Sequence, residues 1–356
     1  MKNVLVLGSG AREVAIVRSI SQSLIENSIF CISKDINPQI NDLCKDYFVA
    51  DFGATNDVLA YSKEKEIDLA IIGPENPLAD GVVNALELAG IQCVGPKKEV
   101  AMIETSKAFA RTIIDLCSPE KNPKRKEFSS TDGVKSFIGQ LGEEYVIKFD
   151  GLMGGKGVRV SGEHLKNINE GLDYANEIVG GGGKFLIEEK LVGEEFSLMS
   201  FVDGKTCKHM PVVQDHKRAY EGDTGPNTGG MGTYSFENHS LPFLSEKNVK
   251  EAQETNELVA KQLFKQTGIP YVGVLYGGFM LTKSGIKVIE YNARFGDPEA
   301  MNVLSILKSD FLSICMSLVD GNLENQEVSF ENLSTVCKYV VPVGCPDNPS
   351  KGFEVL

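Results

Sequence analysis

The chain has 356 residues, of which 42% are hydrophobic and 24% are charged, a composition typical of globular proteins with two or three domains. Its 36 Lys and Arg against 49 Asp and Glu give a net charge of −13, which repels a phosphate backbone and disfavours nucleic acid as a partner. Because no stretch is apolar enough for a membrane span or a signal peptide, and eight scattered cysteines accompany only four histidines, we expect a cytoplasmic protein with reduced thiols and no zinc.

The N-terminal part alternates between short apolar runs and helix-like segments. Buried strands are predicted at residues 4–7, 29–32, 68–74 and 91–96, with helices at residues 12–23 and 82–88. Continuous apolar strands separated by helices predict a doubly wound parallel sheet that is covered on both faces. This α/β unit is predicted to end near residue 103.

After a polar, proline-containing connector at residues 118–127, the pattern changes. Strands are predicted at residues 145–149, 158–160, 185–188, 273–280 and 287–292, with a glycine-rich break at 180–183 and a long helix at 249–266. The polar, glycine-rich stretch between residues 215 and 232 is predicted as a long loop, and long ordered loops tend to carry function. In it, His216 is interpreted as an orienting residue or a phosphate or ribose contact rather than a general base.

The first candidate site is the turn Gly8-Ser9-Gly10-Ala11-Arg12-Glu13, between a strand and a helix. Free backbone amides and the helix dipole favour an anion at such a turn. Glu13 occupies the third glycine position of the dinucleotide fingerprint, so NAD is the poorer interpretation. A tight structural turn and a phosphate or ribose contact both remain open.

A second candidate is the segment from Lys148 to Val158, which contains Gly154-Gly155-Lys156-Gly157. Glycines let backbone amides close on phosphate oxygens, and the lysines add positive charge. It is not a Walker loop, because Gly157 follows Lys156, and it links two strands. The alternative is a flexible hairpin with solvated lysines.

Two further candidates lie on strands. Glu290 and Asn292 share one face of their strand, and two hard oxygen ligands suit Mg²⁺, although a solvated strand face is the alternative. Arg294 follows and places a permanent positive charge near them. The strand containing Glu188 and Glu189 offers a backbone edge for adenine, with nearby carboxylates for ribose; the alternative is a charged edge strand that blocks aggregation.

Together these segments resemble the phosphoribosylamine–glycine ligase family of the ATP-grasp superfamily. The most family-specific matches are Asp-His-Lys-Arg at 215–218, Asp-Thr-Gly-Pro-Asn-Thr-Gly-Gly-Met-Gly at 223–232 and Arg-Phe-Gly-Asp-Pro-Glu at 294–299. At the first loop, Ala11 and Val14 replace a glycine and a histidine of the family. The resemblance implies an N-terminal α/β domain (1–103), an ATP-grasp domain (104–325) with a mobile lid (about 120–189), and an incomplete C-terminal subdomain (326–356).

The resemblance also implies an activity: a carbon–nitrogen ligase of purine biosynthesis that uses ATP and Mg²⁺ or Mn²⁺ to join glycine to 5-phosphoribosylamine through glycyl phosphate. It implies catalytic roles for Arg294 and Lys217, a metal site at Glu290 and Asn292, and a monomer or weak dimer. The implied ATP-binding residues are Lys107, Lys148, Gly154, Gly155, Lys156, Gly157, Glu188, Glu189, Leu191 and Glu195. The implied substrate-binding residues are Gly10, Arg12, Glu13, Asp215, Arg218, Asp223, Gly230, Met231 and Asp297.

Three alternatives compete with this interpretation. An NAD(P)-linked oxidoreductase fits the N-terminal fold, but the glycine fingerprint is broken and no hydride-transfer constellation is visible. A non-catalytic nucleotide-binding protein is disfavoured because the proposed ATP and Mg²⁺ residues are present. A sister ATP-grasp ligase for another carboxylate is opposed only by the runs at 215–231 and 294–299.

Overall fold

The computed structural model describes residues 1–153, 157–222, 224–350 and 352. Its N-terminal unit contains strands β1 (Lys2–Leu7), β2 (Asn27–Ser33), β3 (Asp46–Val49), β4 (Leu69–Ile72) and β5 (Gln92–Val94), and helices α1 (Ala11–Ser21), α2 (Pro38–Asn41), α3 (Thr55–Glu64), α4 (Glu75–Asp80) and α5 (Val82–Leu88). The strands form a parallel sheet in the order β3-β2-β1-β4-β5. Val4 and Val6 share a core cluster with α1, whereas Leu5 and Leu7 share another with α3 and α5. Burial of both faces explains the continuous apolar run, and the predicted sheet is confirmed.

Helices α6 (Lys98–Thr105) and α7 (Lys107–Cys117) lead into a second, smaller sheet. It contains β6 (Arg125–Phe128), β7 (Tyr145–Phe149), β8 (Val158–Val160) and β9 (Phe185–Glu189), with helices α8 (Val134–Gln140) and α9 (Ile168–Gly180). All pairs in the order β6-β9-β7-β8 are antiparallel, and the unit has its own apolar core. Residues 125–127 of the predicted connector belong to strand β6, and the last residue of that strand, Phe128, is buried in this core.

The third unit is an antiparallel sheet in the order β11-β10-β14-β15. Its elements are β10 (Gly193–Asp203), β11 (Cys207–His209), α10 (Glu246–Thr267), β14 (Val272–Thr282) and β15 (Gly285–Asn292), followed by α11 (Glu299–Ser305) and α12 (Phe311–Val319). This sheet shares core clusters with the N-terminal unit, so the two pack as continuous apolar layers. Among the described helices, none is long and apolar enough to cross a membrane.

The polar stretch predicted as a long loop is instead a β-hairpin. Strands β12 (Gln214–Tyr220) and β13 (Thr224–Ser235) pair antiparallel, and β16 (Thr335–Lys338) adds to the other edge of β13. The prediction was wrong because strands rich in glycine and polar side chains lack the alternating apolar pattern. Two register shifts within the β12–β13 ladder mark its irregularity.

Candidate active site

Two lysines from different units converge on one end of strand β15. Lys148, on β7, is 8% exposed; its Nζ lies 2.9 Å from a carboxylate oxygen of Glu188 and donates to the carbonyl of Ile289 at 3.1 Å. Lys107 begins α7, which Ser106 caps, and its Nζ donates to the carbonyl of Gly151 at 2.9 Å. Burial lowers the pKa of Lys107, and the attraction of Glu290 opposes that shift. Both cations therefore lie near the candidate metal ligands.

Glu290 and Asn292 lie on the same, partly exposed face of β15, while Tyr291 between them is buried. Burial would raise the pKa of Glu290, but the charges of Lys217, Lys148 and Lys107 outweigh it and lower that pKa. The carboxylate is thus held ionised, as a metal ligand must be.

Lys217, on β12, lines a pocket together with Glu290. Its Nζ is 3.7 Å from a carboxylate oxygen of Glu195, and burial, which opposes its charge, is outweighed by Glu195, Glu290 and Asp215, so the pKa of Lys217 is raised. The pocket is lined by Glu195, Phe196, Ser197, Asp215, Lys217, Tyr276, Gly278, Ile289 and Glu290. One lysine and three carboxylates therefore line a single cavity.

Asp215 carries an unusual carboxyl group in this pocket. Its Oδ1 is buried without a hydrogen-bond partner among the described residues. Burial and then the charge of Glu299 raise the pKa of Asp215 to about 7. A Cβ at Gly230 would lie 3.1 Å from that Oδ1, so glycine lets β13 pass close to the carboxyl group. Such an unpaired acceptor is able to receive a ligand N–H.

Arg294 lies beyond the end of β15, which ends at Asn292. Its guanidinium is 2.9 Å from Glu104 and 3.5 Å from Glu75, and it donates to the carbonyl of Phe295 at 3.0 Å. Burial disfavours the cation, yet Glu104 and Glu75 raise the pKa of Arg294. Its buried Nε makes no hydrogen bond among the described residues and faces Glu75 as an ion pair at 3.5 Å.

In the first loop, Arg12 and Glu13 are buried, whereas Gly10 is exposed. Glu13 is 1% exposed and its oxygens accept from the backbone N–H of Gly10 and from Nε of Arg12, both at 2.6 Å. The carboxylate thus stabilises the turn, and the assignment of Glu13 to substrate stays a prediction. Arg12, also buried, donates to the carbonyl of Phe295 at 3.2 Å. Gly10 stays exposed, next to Asp297, which accepts a hydrogen bond from Tyr339.

The remaining assigned residues lie around this centre. Glu188 is buried against Arg111 and Lys148. Burial would raise the pKa of its carboxyl, but these two cations lower it to about 2. Glu189 accepts from the backbone N–H of Lys124 at 2.9 Å. Leu191 lies between β9 and β10, at the start of which stands Glu195. These positions form an edge between the second and third units.

Four of the assigned positions, Gly154, Gly155, Lys156 and Asp223, lie outside the described residues. Gly157 closes the hairpin, since its carbonyl accepts from the N–H of Phe149 at 2.8 Å. Arg218 pairs with Glu163 of the second unit and donates to the carbonyl of Gly225 at 2.9 Å, and the carbonyl of Met231 accepts from Tyr339. Arg218 thus joins the hairpin to the second unit.

Sequence reasoning missed Arg111, Glu104 and Tyr276. Arg111 lies on the buried face of α7 with Ala110, Ile113 and Ile114. A charged residue among apolar ones on a helix face is a signal for a buried ion pair that was available in the sequence. Glu104 carries the same signal, because it lies on the buried face of α6 with Val100 and Ala101, whereas Tyr276 carries none.

Among the described residues, no group of three or more His, Cys, Asp or Glu side chains could hold a metal ion. Glu290 and Asn292 supply two oxygen ligands. That number suits Mg²⁺, which usually keeps several waters and takes its other ligands from substrate phosphates. The donor set therefore fits a metal that arrives with a nucleotide.

Comparison with known proteins identifies the family. The model of the phosphoribosylglycinamide synthetase N domain matches residues 2–104, and the model of its ATP-grasp (A) domain matches residues 105–300. The chain belongs to the phosphoribosylglycinamide synthetase family. The predicted family and ATP-grasp fold are thereby confirmed, and the oxidoreductase alternative is set aside.

Relatives in this family align over almost the entire chain. Phosphoribosylamine–glycine ligase of Methanocaldococcus jannaschii is 49% identical over 359 residues, covering 99% of this chain and 80% of the relative. The same-named protein of Methanocella arvoryzae is 46% identical over 348 residues, covering 98% and 80%. The crystal structure of the Thermotoga maritima phosphoribosylamine–glycine ligase superimposes with a TM-score of 0.79 at 27% identity, covering 98% of this chain and 83% of that one.

Proposed function

We propose that this protein joins glycine to 5-phosphoribosylamine at the expense of ATP, giving glycinamide ribonucleotide, ADP and phosphate. Besides family membership, the observation that carries the proposal is the convergence of Lys107, Lys148 and Lys217 on Glu290. Three cations around one carboxylate suit a site where ATP phosphates, a metal and a substrate carboxylate meet.

In the first step, a glycine carboxylate oxygen attacks the γ-phosphorus of ATP. A new P–O bond forms, the bond to the β,γ-bridging oxygen breaks, and ADP leaves with that electron pair. Lys107 and Lys148 hold the phosphates, and the guanidinium of Arg294 binds the carboxylate as it becomes an acyl phosphate. Positioning and charge neutralisation suffice, so no protein nucleophile is required.

Glu290 and Asn292 would hold the divalent cation, Mg²⁺ or Mn²⁺, for the reasons of ligand number and ionisation given above. When bound, this ion neutralises charge on the transferring phosphoryl group. Lys217 would contact the same phosphoryl oxygens from the hairpin side.

In the second step, the amine nitrogen of 5-phosphoribosylamine attacks the acyl carbon. A C–N bond forms, the nitrogen loses a proton, and phosphate leaves with the former carboxylate oxygen. Asp215, with its unpaired Oδ1, is suited to receive an N–H of a substrate amine. The exposed Gly10, with Asp297 and Gly230, surrounds the approach to it.

The test is ADP release measured with glycine alone, with 5-phosphoribosylamine alone, with both, and with other amino acids replacing glycine. Rapid ADP release is expected only with both substrates, together with glycinamide ribonucleotide in equal amount. Faster turnover with another carboxylate would instead assign the chain to a sister ligase activity.

A further inference from the structure

Arg111 makes the most complete set of polar contacts of any side chain next to the candidate active site. Its Nε and one Nη donate to the two carboxylate oxygens of Glu188 at 2.6 and 2.8 Å. The other donors reach the carbonyls of Val288 and Ile289 at 2.9 and 2.7 Å and the amide oxygen of Asn122 at 3.2 Å. These five hydrogen bonds use all five N–H donors of a guanidinium, so Arg111 has none left for a ligand.

Lys148 shares two acceptors with Arg111. Both donate to the same carboxylate oxygen of Glu188 and to the carbonyl of Ile289. These two contacts occupy two of the three donors of the lysine ammonium group. The third is available to a phosphate oxygen in the proposed ATP site.

Arg111, Lys148 and Glu188 form a cluster whose net charge sets the electrostatic potential at a phosphate bound beside it. Arg111 and Glu188 have side chains only 4% and 3% exposed, and Lys148 11%, so water screens them weakly. Arg111 and Lys148 together carry +2 against −1 on Glu188, and the cluster keeps a net charge of +1. Without Arg111, Glu188 would neutralise Lys148 and the net charge would be zero.

We propose that Arg111 is a positioning residue for ATP: it neutralises Glu188 and fixes its carboxylate, so that Lys148 is held in place while its charge remains available to the phosphates. The inference rests on the proposed ATP site. Because Arg111 also holds the carbonyl that precedes Glu290, it connects the second unit to the strand of the candidate metal ligands.

The test is calorimetric titration of the intact protein with the β,γ-imido analogue of ATP and Mg²⁺, without glycine or 5-phosphoribosylamine. Arg111→Gln should bind the analogue at least 10-fold more weakly than the wild type. Arg111→Lys keeps the net charge of +1 and should bind within about 3-fold of the wild type. An Arg111→Lys variant that binds as weakly as Arg111→Gln would overturn the proposal, because loss of the paired hydrogen bonds alone would then account for the effect.

Arg125→Gln is the matched control, since Arg125 joins strand β6 of the second unit to Asp115 of α7 at 2.6 Å, away from Lys148. It should change affinity less than 2-fold; a loss equal to that of Arg111→Gln would make attachment of the second unit the cause and overturn the charge argument. If Arg111→Gln does not fold, Arg111→Lys decides, because it keeps the charge and should retain binding, and a 10-fold loss in it would refute the proposal. Wild-type binding without product formation would refute the ligase function but leave this inference standing, whereas absence of wild-type binding would refute both.

Discussion

At the scale of single residues, several charged groups at the candidate centre are balanced by groups from other elements. Glu290 is kept ionised by three lysines, Lys217 is kept protonated by acidic neighbours, and Arg294 is held between two carboxylates. Buried charges are costly unless they are paired, so this balance fixes their protonation states before substrates arrive.

Glu290→Gln should lower turnover by at least 100-fold, on the order of 2.7 kcal/mol of transition-state stabilisation, because it removes the only formal negative charge of the proposed metal pair. Asn292→Ala should cost less, about 10-fold, because the carboxylate remains. Steady-state rates across a range of Mg²⁺ concentrations provide the measurement, and excess Mg²⁺ should restore part of the lost rate. Full activity of Glu290→Gln at ordinary Mg²⁺ would place the metal elsewhere.

Arg294→Lys keeps the charge but loses the planar fork of the guanidinium. Turnover at saturating ATP and glycine should fall on the order of 100-fold, about 2.7 kcal/mol, while ATP affinity is retained. Since Glu104 is buried against this guanidinium, thermal unfolding of the variant serves as the control for folding. Normal turnover with weakened ATP binding would make Arg294 a nucleotide residue instead.

The sequence alone identified residues whose shared position follows from local spacing, such as Glu290 and Asn292 on one strand face. It did not anticipate the contacts of Glu13 within the turn, because local sequence does not reveal that the carboxylate turns back to Gly10 and Arg12. It missed Arg111, whose partner Glu188 lies 77 residues along the chain. Pairing across such distances is set by the tertiary fold.

At the scale of elements, the hairpin β12–β13 brings Asp215 and Lys217 to the pocket, and its close approach depends on Gly230. Gly230 has a φ of +142°, and a Cβ there would lie 2.9 Å from Cδ of Pro298. The hairpin therefore packs against the loop after β15 through a position that only glycine occupies without strain.

Gly230→Ala should destabilise the protein by about 1–3 kcal/mol through overpacking and should raise KM for the amine substrate more than for ATP. Gly229→Ala is the matched control, because its added Cβ would meet nothing within 4 Å. Denaturant unfolding and steady-state kinetics on both variants make the comparison. Equal behaviour of the two would mean that the hairpin does not approach the Pro298 loop as described.

The second unit is joined to helix α7 by the buried Arg111–Glu188 pair, and this predicts a pH-dependent stability. The pKa of Glu188 is about 2 in the folded protein against 4.5 for the ordinary group, so its contribution is complete above pH 4.5 and is lost as pH falls toward 2. Glu188→Gln should cost on the order of 3 kcal/mol at pH 7, a difference that shrinks steadily between pH 4.5 and 2. Urea unfolding of the wild type and of Glu188→Gln at pH 7 and near pH 2 tests this. A difference in unfolding free energy that does not change with pH would rule out the ion pair as its source.

Most of the elements that were predicted have apolar patterns, although the apolar strand β10 was missed. Four of the five parallel strands and helix α10 follow from continuous or periodic apolar residues, whereas β12 and β13 are rich in charged residues, glycine and threonine. Their pairing is stabilised by the backbone ladder and by side chains of other elements, which single-sequence patterns do not encode.

At the scale of the whole molecule, the N-terminal and third units share two apolar cores, while the second unit has its own. Within the described residues, the second unit reaches the candidate centre through polar contacts, including Lys148–Ile289, Arg111–Glu188 and Arg218–Glu163. This division places Glu290 in the part with the shared cores and Lys148 in the second unit.

The central claim is that glycine is activated by phosphoryl transfer from ATP in this site. The most direct test supplies glycine with ¹⁸O in both carboxylate oxygens, together with ATP and 5-phosphoribosylamine, and analyses the products by mass spectrometry. If glycyl phosphate forms and the amine displaces phosphate, each phosphate released carries one ¹⁸O atom and each glycinamide ribonucleotide retains the other. Unlabelled phosphate accompanying glycinamide ribonucleotide, or ADP release without that product, would contradict the account.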